Sequence, residues 1–336
     1  MRMVRFTPRF WISLAVFLAV VAFGVIGPMF AGDKLGENVG GLYDPPSAEA
    51  WLGTDDLGHD IFTNLMFGTR TSLIIGMIAG AVATLIGVVI GLLAGYHGGV
   101  LEEILMGITN VALAIPAIVV LILISVALDF RSIVAMAVVI AITSWPWTAR
   151  AVRAQASSVR TREHLDVARL SGASTWQILV WDVLPYLLSY IAMAFVLQVA
   201  SAILAEAGLS LLGLGPSNSV SLGIMLNWSL VGESLRTGAW WSFIPPTLLL
   251  TLVAFTLLML QSSLDEVFNP RLRRGQRLAR PTAGSGAALA QVGVVTEPAM
   301  ADVEEVPTDG ADTVATGGLG AGPASRSGSG HGRETR

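Results

Sequence analysis

Glu206 is the one carboxylate within a long apolar run, so it is the first place to look for chemistry. Ionisable groups at membrane depth are costly, and they mark paths, gates or buried hydrogen-bond partners. Gln198 lies eight residues earlier, on roughly the same helical face. Both are candidates for lining or gating a pathway, and an interhelical hydrogen bond would account for either as well. Asp55, Asp56, His59 and Asp60 cluster in a polar stretch and could be read as calcium or nickel ligands. Their spacing lacks the alternating ligands and central glycine of a calcium loop. Turn and cap roles fit better, and no metal is expected. There is no cysteine, which excludes disulfides, thiolate metal sites and cysteine nucleophiles. The single lysine, Lys34, is followed by Leu35, so the chain has no Gly-Lys-Ser/Thr phosphate loop. Any nucleotide-driven work therefore needs another chain. The apolar runs contain no His/Asp cluster and no serine with an evident base, so the chain is not read as an enzyme.

The elements that hold these residues follow from composition. Of 336 residues, 53% are hydrophobic and 13% charged. A soluble surface needs roughly 25% charged residues, so lipid is the natural solvent. Crossing ~30 Å of hydrocarbon takes about 20 apolar residues at ~1.5 Å each. Six runs qualify: residues 10–31, 72–96, 104–128, 132–149, 186–215 and 243–264. Backbone polar groups in lipid must be satisfied internally, so the runs read as helices. Pro116, Pro146, Pro245 and Pro246 predict kinks or span ends. The expectation is an all-α membrane protein with six transmembrane helices.

Arginine and lysine placement sets the orientation. Thirteen basic residues precede the first run, separate the fourth from the fifth, or closely follow the sixth, and four lie on the opposite side. Both termini and residues 150–185 are thus expected in the cytoplasm. The basic start could belong to a signal peptide, but the apolar run is long for one, and an uncleaved anchor is preferred. Residues 1–9 form a cytoplasmic N-terminus and 10–31 the first transmembrane helix. Residues 32–70 are an acidic extracytoplasmic segment, mostly loop, with a short helix near 61–67. Residues 71–268 hold the remaining five spans, and 269–336 a basic stretch and a disordered tail. Glycines at 76, 80, 87, 91 and 95 stripe the second run, a pattern that lets helices approach closely. Trp11, Trp145, Trp147, Trp240 and Trp241 read as an interfacial aromatic belt. His97 and His164 read as solvated loop histidines.

The loop at 150–185 has more local structure than a connector needs. Thr161 can cap a helix running to Leu170, with Glu163 in the first turn where the helix dipole favours an anion. Leu165, Ala168 and Leu170 give that helix an apolar ridge. Gly172 supplies a left-handed stop, and Ser174-Thr-Trp-Gln177 forms a capping box for a second helix toward Pro185. Such a helix is either a lever that docks on a soluble partner or an amphipathic helix on the membrane surface. Arg162 and Arg169 are exposed on it, as partner contacts or as orientation determinants.

Asp166-Val167-Ala168, then Gly172, then Asp182-Val183-Leu184-Pro185 resembles the ATPase-contacting motif of bacterial ATP-binding-cassette importer permeases, with its spacing kept. It departs from Glu-Ala-Ala at Asp166 and Val167, and from Ile at Asp182. Residues 51–60, with Gly68-Thr-Arg70-Thr-Ser-Leu73, resemble the start of the second span in the oligopeptide/dipeptide (nickel) permease family, C-type subunit. Residues 203–215 resemble the same subunit, and the likeness covers about residues 5–275. It implies a type I importer permease fold whose cytoplasmic coupling helix uses Glu163, Asp166, Val167, Ala168, Gly172, Leu184 and Pro185. It also implies a homologous second permease subunit, two ATPase domains that bind ATP and magnesium, and an extracytoplasmic substrate-binding protein. No cofactor in this chain and no nucleic acid are implied. The implied cargo is a peptide, with nickel complexes or oligosaccharides as alternatives. A channel or secondary transporter is the rival reading. Ion-coupled transport usually needs paired intramembrane charges, and Glu206 stands alone.

Overall fold

In a computed structural model, residues 7–32, 34–128 and 132–268 are described. The expectations for residues 1–6, the 271–280 basic stretch and the tail lie outside them. Among the described residues there are no β-strands, only isolated bridges joining Asn38 to His59 and Thr54 to Asp60. The helices are α1 (Pro8–Ala31), α2 (Ile61–His97), α3 (Gly99–Ala114), α4 (Ala117–Leu128), α5 (Ile133–Arg160), α6 (Glu163–Leu170), α7 (Thr175–Gln177), α8 (Leu184–Leu211), α9 (Leu222–Val231), α10 (Ser234–Thr237) and α11 (Trp240–Phe268). A π-helical stretch, Ile178–Val183, makes α7 and α8 continuous.

Among the described residues five helices are long and apolar enough to cross a membrane, and α3 with α4 passes the same test as a pair bent by 82°. The bend falls where Ile115 adopts an extended conformation, because a residue before proline is driven out of the helical region. The third apolar run is therefore two helices broken at Pro116 and not one straight helix. Pro146, Pro245 and Pro246 lie inside α5 and α11 without ending them.

The expected short helix at 61–67 is instead the start of α2. Arg70 ends the charge-free run, but a helix is held by backbone hydrogen bonds, which a charged side chain does not interrupt. Asp60 caps it, accepting from the Phe62 and Thr63 amides at 3.2 and 3.0 Å. At 37 residues α2 is about 55 Å long, so it projects beyond the hydrocarbon. Likewise α5, capped by Ser132, continues past Ala149 to Arg160.

The long α2 is the central post. Its early half lies on α8: a Cβ on Gly76 would strike the Ile203 side chain, and one on Gly80 would sit 2.6 Å from the Val199 side chain. Its later half lies on α5, where Cβ atoms on Gly91 and Gly95 would come 2.5 and 2.6 Å from the carbonyl oxygens of Ala149 and Arg153. The glycine stripe thus lets two helix backbones touch a third. Val20 of α1, Val199 and Ile203 of α8, and Val253 and Leu257 of α11 form a further core layer.

Residues 34–60 fold over the same end of the bundle as α9 and α10. The Tyr43 hydroxyl donates to the Gly232 carbonyl at 2.6 Å, and Trp241 Nε1 donates to the Thr54 carbonyl at 3.3 Å. Asp55 accepts from the amides of Leu57 and His59, and from the Asn64 side chain. Asp55 and Asp60 therefore do the work of turn and cap. Among the described residues no group of three His, Asp or Glu could hold a metal.

Candidate functional site

At the opposite end of the bundle, α5 hands the chain to α6 through a tight corner. Thr161 is the last residue of the α5 side and Arg162 takes the N-cap position of α6. The expected Thr161 cap is absent because α5 overruns its apolar stretch and uses Thr161 as its own C-cap. Glu163 and Asp166 occupy the first turn of α6, as expected for the helix dipole.

Eight residues cannot hold a helix in water unaided. Leu165 holds this one. It is fully buried among Tyr96 of α2, Val152, Ala156 and Val159 of α5, and Ile178, Leu179, Val183 and Leu187 on the α8 side. Burying such a side chain contributes about 1.5–3 kcal/mol. Ala168 packs beside it, whereas Leu170 points away and is 89% exposed. The expected three-residue ridge is thus two residues, because Leu170 lies in the last turn, just before the chain reverses.

That reversal is a Schellman turn. The Gly172 amide donates to the Arg169 carbonyl and the Ala173 amide to the Ala168 carbonyl, both at 3.1 Å. Gly172 has φ +80, in the left-handed region. Next, the Ser174 hydroxyl accepts from the Gln177 amide at 3.3 Å, and Gln177 Oε1 accepts from the Ser174 amide at 2.9 Å. The capping box is therefore complete. Pro185 lacks an amide and its ring crowds the carbonyl four residues back. The preceding turn widens, with the Leu184 amide donating to the Leu179 carbonyl. Asp182, Leu184 and Pro185 lie in or just after this wide turn.

The outer face of the segment carries Val167 and Leu170, with Trp176 and Trp181 nearby, all well exposed. Asp166 and Arg169 pair at 2.9 Å on the same surface. Arg169 also lies over the Tyr96 ring at 5.5 Å, and Arg162 over Tyr186 at 5.1 Å. Tyr96 and then the Asp166 carboxylate beside Arg169 raise its pKa above the ordinary arginine value. The segment joins α5 at the Arg162 corner, leads into α8 through the capping box, and packs on α2 through Leu165 and Tyr96.

Glu206 and Gln198 lie elsewhere. Glu206 is completely buried between α2 and α8. The Ser72 hydroxyl donates to it at 2.8 Å and the Ser210 hydroxyl at 2.7 Å. Ser72 in turn accepts from the Leu222 amide at 3.2 Å, which ties α9 to the same knot. Gln198 donates to the Ser144 carbonyl and the Thr148 hydroxyl of α5, at 2.9 and 2.7 Å. Both residues make the interhelical hydrogen bonds left open as the alternative to a pathway role. Reading the sequence missed one polar group: Glu102 and Asn110 of α3 pair with Arg153 and Arg150 of α5. They border an open groove, and two arginines three residues apart on one helix face were the available signal.

Residues 87–274 match the family described as binding-protein-dependent transport system inner membrane component, and the chain belongs to that family. It is 34% identical to the dipeptide transport system permease protein DppC of Bacillus subtilis over 264 residues, which is 78% of this chain and 82% of that one. It is 32% identical to the oligopeptide transport system permease protein OppC of the same organism, covering 78% and 86%. It is 31% identical to the OppC of Mycobacterium tuberculosis, covering 79% and 90%. The chain is a multi-pass membrane protein and a transport subunit.

Proposed function

We propose that this chain forms half of the translocation pathway of an ATP-driven importer that carries peptides. The observation that carries the reading is the α6 segment: an exposed apolar and ionic surface seated by Leu165 and closed on its C-terminal side by the Gly172 turn and the Ser174–Gln177 capping box. Membership of the family supports the transport role, and the names of its relatives support a peptide cargo. A homologous second subunit completes the pathway, two ATPase domains bind ATP and magnesium, and an extracytoplasmic protein delivers the cargo. The chain itself performs no bond chemistry and holds no cofactor.

The α6 end lies in the cytoplasm and residues 34–60 outside, in line with the arginine distribution. Val167, Leu170 and the Asp166–Arg169 pair dock in a groove of an ATPase domain, with Glu163 and Ala168 flanking them. Gly172, Leu184 and Pro185 shape the two turns that carry the motion onward. When ATP draws the ATPase domains together, α6 moves with its host and rotates α5 and α8, which opens the pathway outward. Hydrolysis and release reset it. Glu206 and Gln198 serve this motion by keeping α2, α8, α9 and α5 moving as one body.

The test is purification from the native cell in mild detergent, with mass spectrometry of the associated chains. A second multi-span permease and nucleotide-binding subunits are expected. Repeated recovery of the chain alone, in several detergents, would overturn the proposal in favour of a channel.

A further inference from the structure

A second groove lies at the end of the bundle that carries residues 34–60. It runs between α1 and the first turns of α2, with Phe23, Ile26, Phe30, Phe62 and Met66 forming its wall. Lys34, Glu49, Trp51 and Asp60 stand at its polar margin. Its volume is about 640 Å³, and it is open along one side. Small-solute pockets of ~300–1,000 Å³ enclose most of their ligand. A trough of this size that stays open along its length suits a long, flexible molecule lying partly outside it.

The position narrows the choice. The apolar run of α1 ends at Ala31, and Gly27 of α1 lies against Met66 in the second turn of α2, so the margin sits where the hydrocarbon span of α1 meets water. Trp51 lies 5.3 Å from the Phe62 ring at that level, and tryptophan favours this boundary. The wall is open on the surface of the chain: Phe30 is 86% exposed. The margin carries both signs of charge. Lys34 is the chain's single lysine. Asp60 spends its oxygens on the Phe62 and Thr63 amides and the Thr63 hydroxyl, which leaves Glu49 as the freer acid.

We propose that this groove binds a phospholipid with a zwitterionic, amine-bearing headgroup. The phosphate pairs with Lys34 and the ammonium with Glu49, while an acyl chain lies along Phe23, Ile26 and Phe30. An anionic headgroup without an amine would satisfy Lys34 and be repelled by the two carboxylates. A helix of a partner protein could cover the apolar wall but would leave the two-signed margin unused.

Native mass spectrometry of the full chain in its purified assembly tests this, with phosphatidylethanolamine and phosphatidylglycerol supplied in equal amounts. The wild type should retain phosphatidylethanolamine in preference. Lys34→Glu and Glu49→Lys should each lower that retention roughly threefold, the scale of one exposed ion pair. Both positions are exposed, so folding is not at stake. Ala22→Trp, which fills the trough from the α1 side, should remove the bound lipid. Equal retention of the two lipids by the wild type would overturn the proposal. So would unchanged retention in all three variants, or a photoreactive group at Ile26 that crosslinks to protein instead of lipid.

Discussion

Two serine hydroxyls on different parts of the chain donate to one buried carboxylate, and this arrangement can be tested by swapping one atom type. Replacing Glu206 with Leu leaves the Ser72 and Ser210 hydroxyls without their acceptor in a buried site. Each orphaned group costs about 1–3 kcal/mol. Glu206→Leu should therefore lower the melting temperature of the purified chain by several degrees, while Glu206→Gln, which keeps an acceptor oxygen, should lose much less. If Glu206→Gln melted normally but transport failed, a direct pathway role would be indicated instead. The sequence singled out Glu206 and Gln198 as polar groups among apolar ones. It could not say which neighbours they meet, because Ser72 lies 134 residues away and helical period fixes a face, not its partner. Outside the spans, burial and then the neighbouring Asp55 carboxylate raise Asp56 above its ordinary value of 3.8. A raised carboxyl favours the fold when protonated. That contribution is present below the ordinary value and is lost as pH rises through the raised one. Asp56→Asn should thus raise the melting temperature at neutral pH, and the gain should shrink as pH falls toward 3.8. A gain that grew on acidification would contradict the assignment.

At the scale of elements, the α6 segment was the most legible part of the chain. Gly172 and the Ser174–Gln177 pair are local signals, and a Schellman turn or capping box needs only the residues within it. The errors came where tertiary packing decides. Thr161 could cap a helix on propensity, yet α5 continues to Arg160 because Val152, Ala156 and Val159 all bury against the α8 side. Leu170 is as apolar as Leu165, but only Leu165 has a cavity to fill. The broken third span was foreshadowed by Pro116, although nothing in the pattern distinguished it from Pro146, which α5 absorbs. The turn at Gly172 yields a direct experiment. Proline there cannot adopt φ +80 and has no amide for the Arg169 carbonyl. Nothing lies within 4 Å of the position a Cβ would take, so Gly172→Ala is strained in backbone only. Gly172→Pro should abolish uptake and ATPase association while membrane insertion is normal, with Gly172→Ala intermediate. Normal uptake by Gly172→Pro would remove α6 from the coupling role.

For the whole molecule, the six-span count and the charge distribution were read independently and agree. The structure adds that the two non-membrane surfaces are built from different materials. The α6 end is a compact hydrophobic seat under a short helix, and it carries Arg153, Arg160, Arg162 and Arg169 around its edge. The other end is a loop of turns pinned by Asp55, Thr54 and Tyr43, with Asp55 buried and Glu37, Asp44 and Glu49 exposed. Positive charge is retained on the cytoplasmic side during insertion, so the α6 end should face inward. The absence of cysteine makes this directly measurable, since any thiol introduced is the only one. Ser171 and Ser47 are both exposed, on the α6 end and in the 34–60 segment respectively. A membrane-impermeant maleimide applied to intact cells should label Ser47→Cys and leave Ser171→Cys unmodified, and inside-out vesicles should give the reverse. An ATPase docked on α6 would further shield Ser171→Cys in the assembled complex, so stripping the ATPase domains from inside-out vesicles should speed its labelling. Labelling of Ser171→Cys in intact cells would invert the topology, and with it the assignment of α6 to an ATP-driven partner.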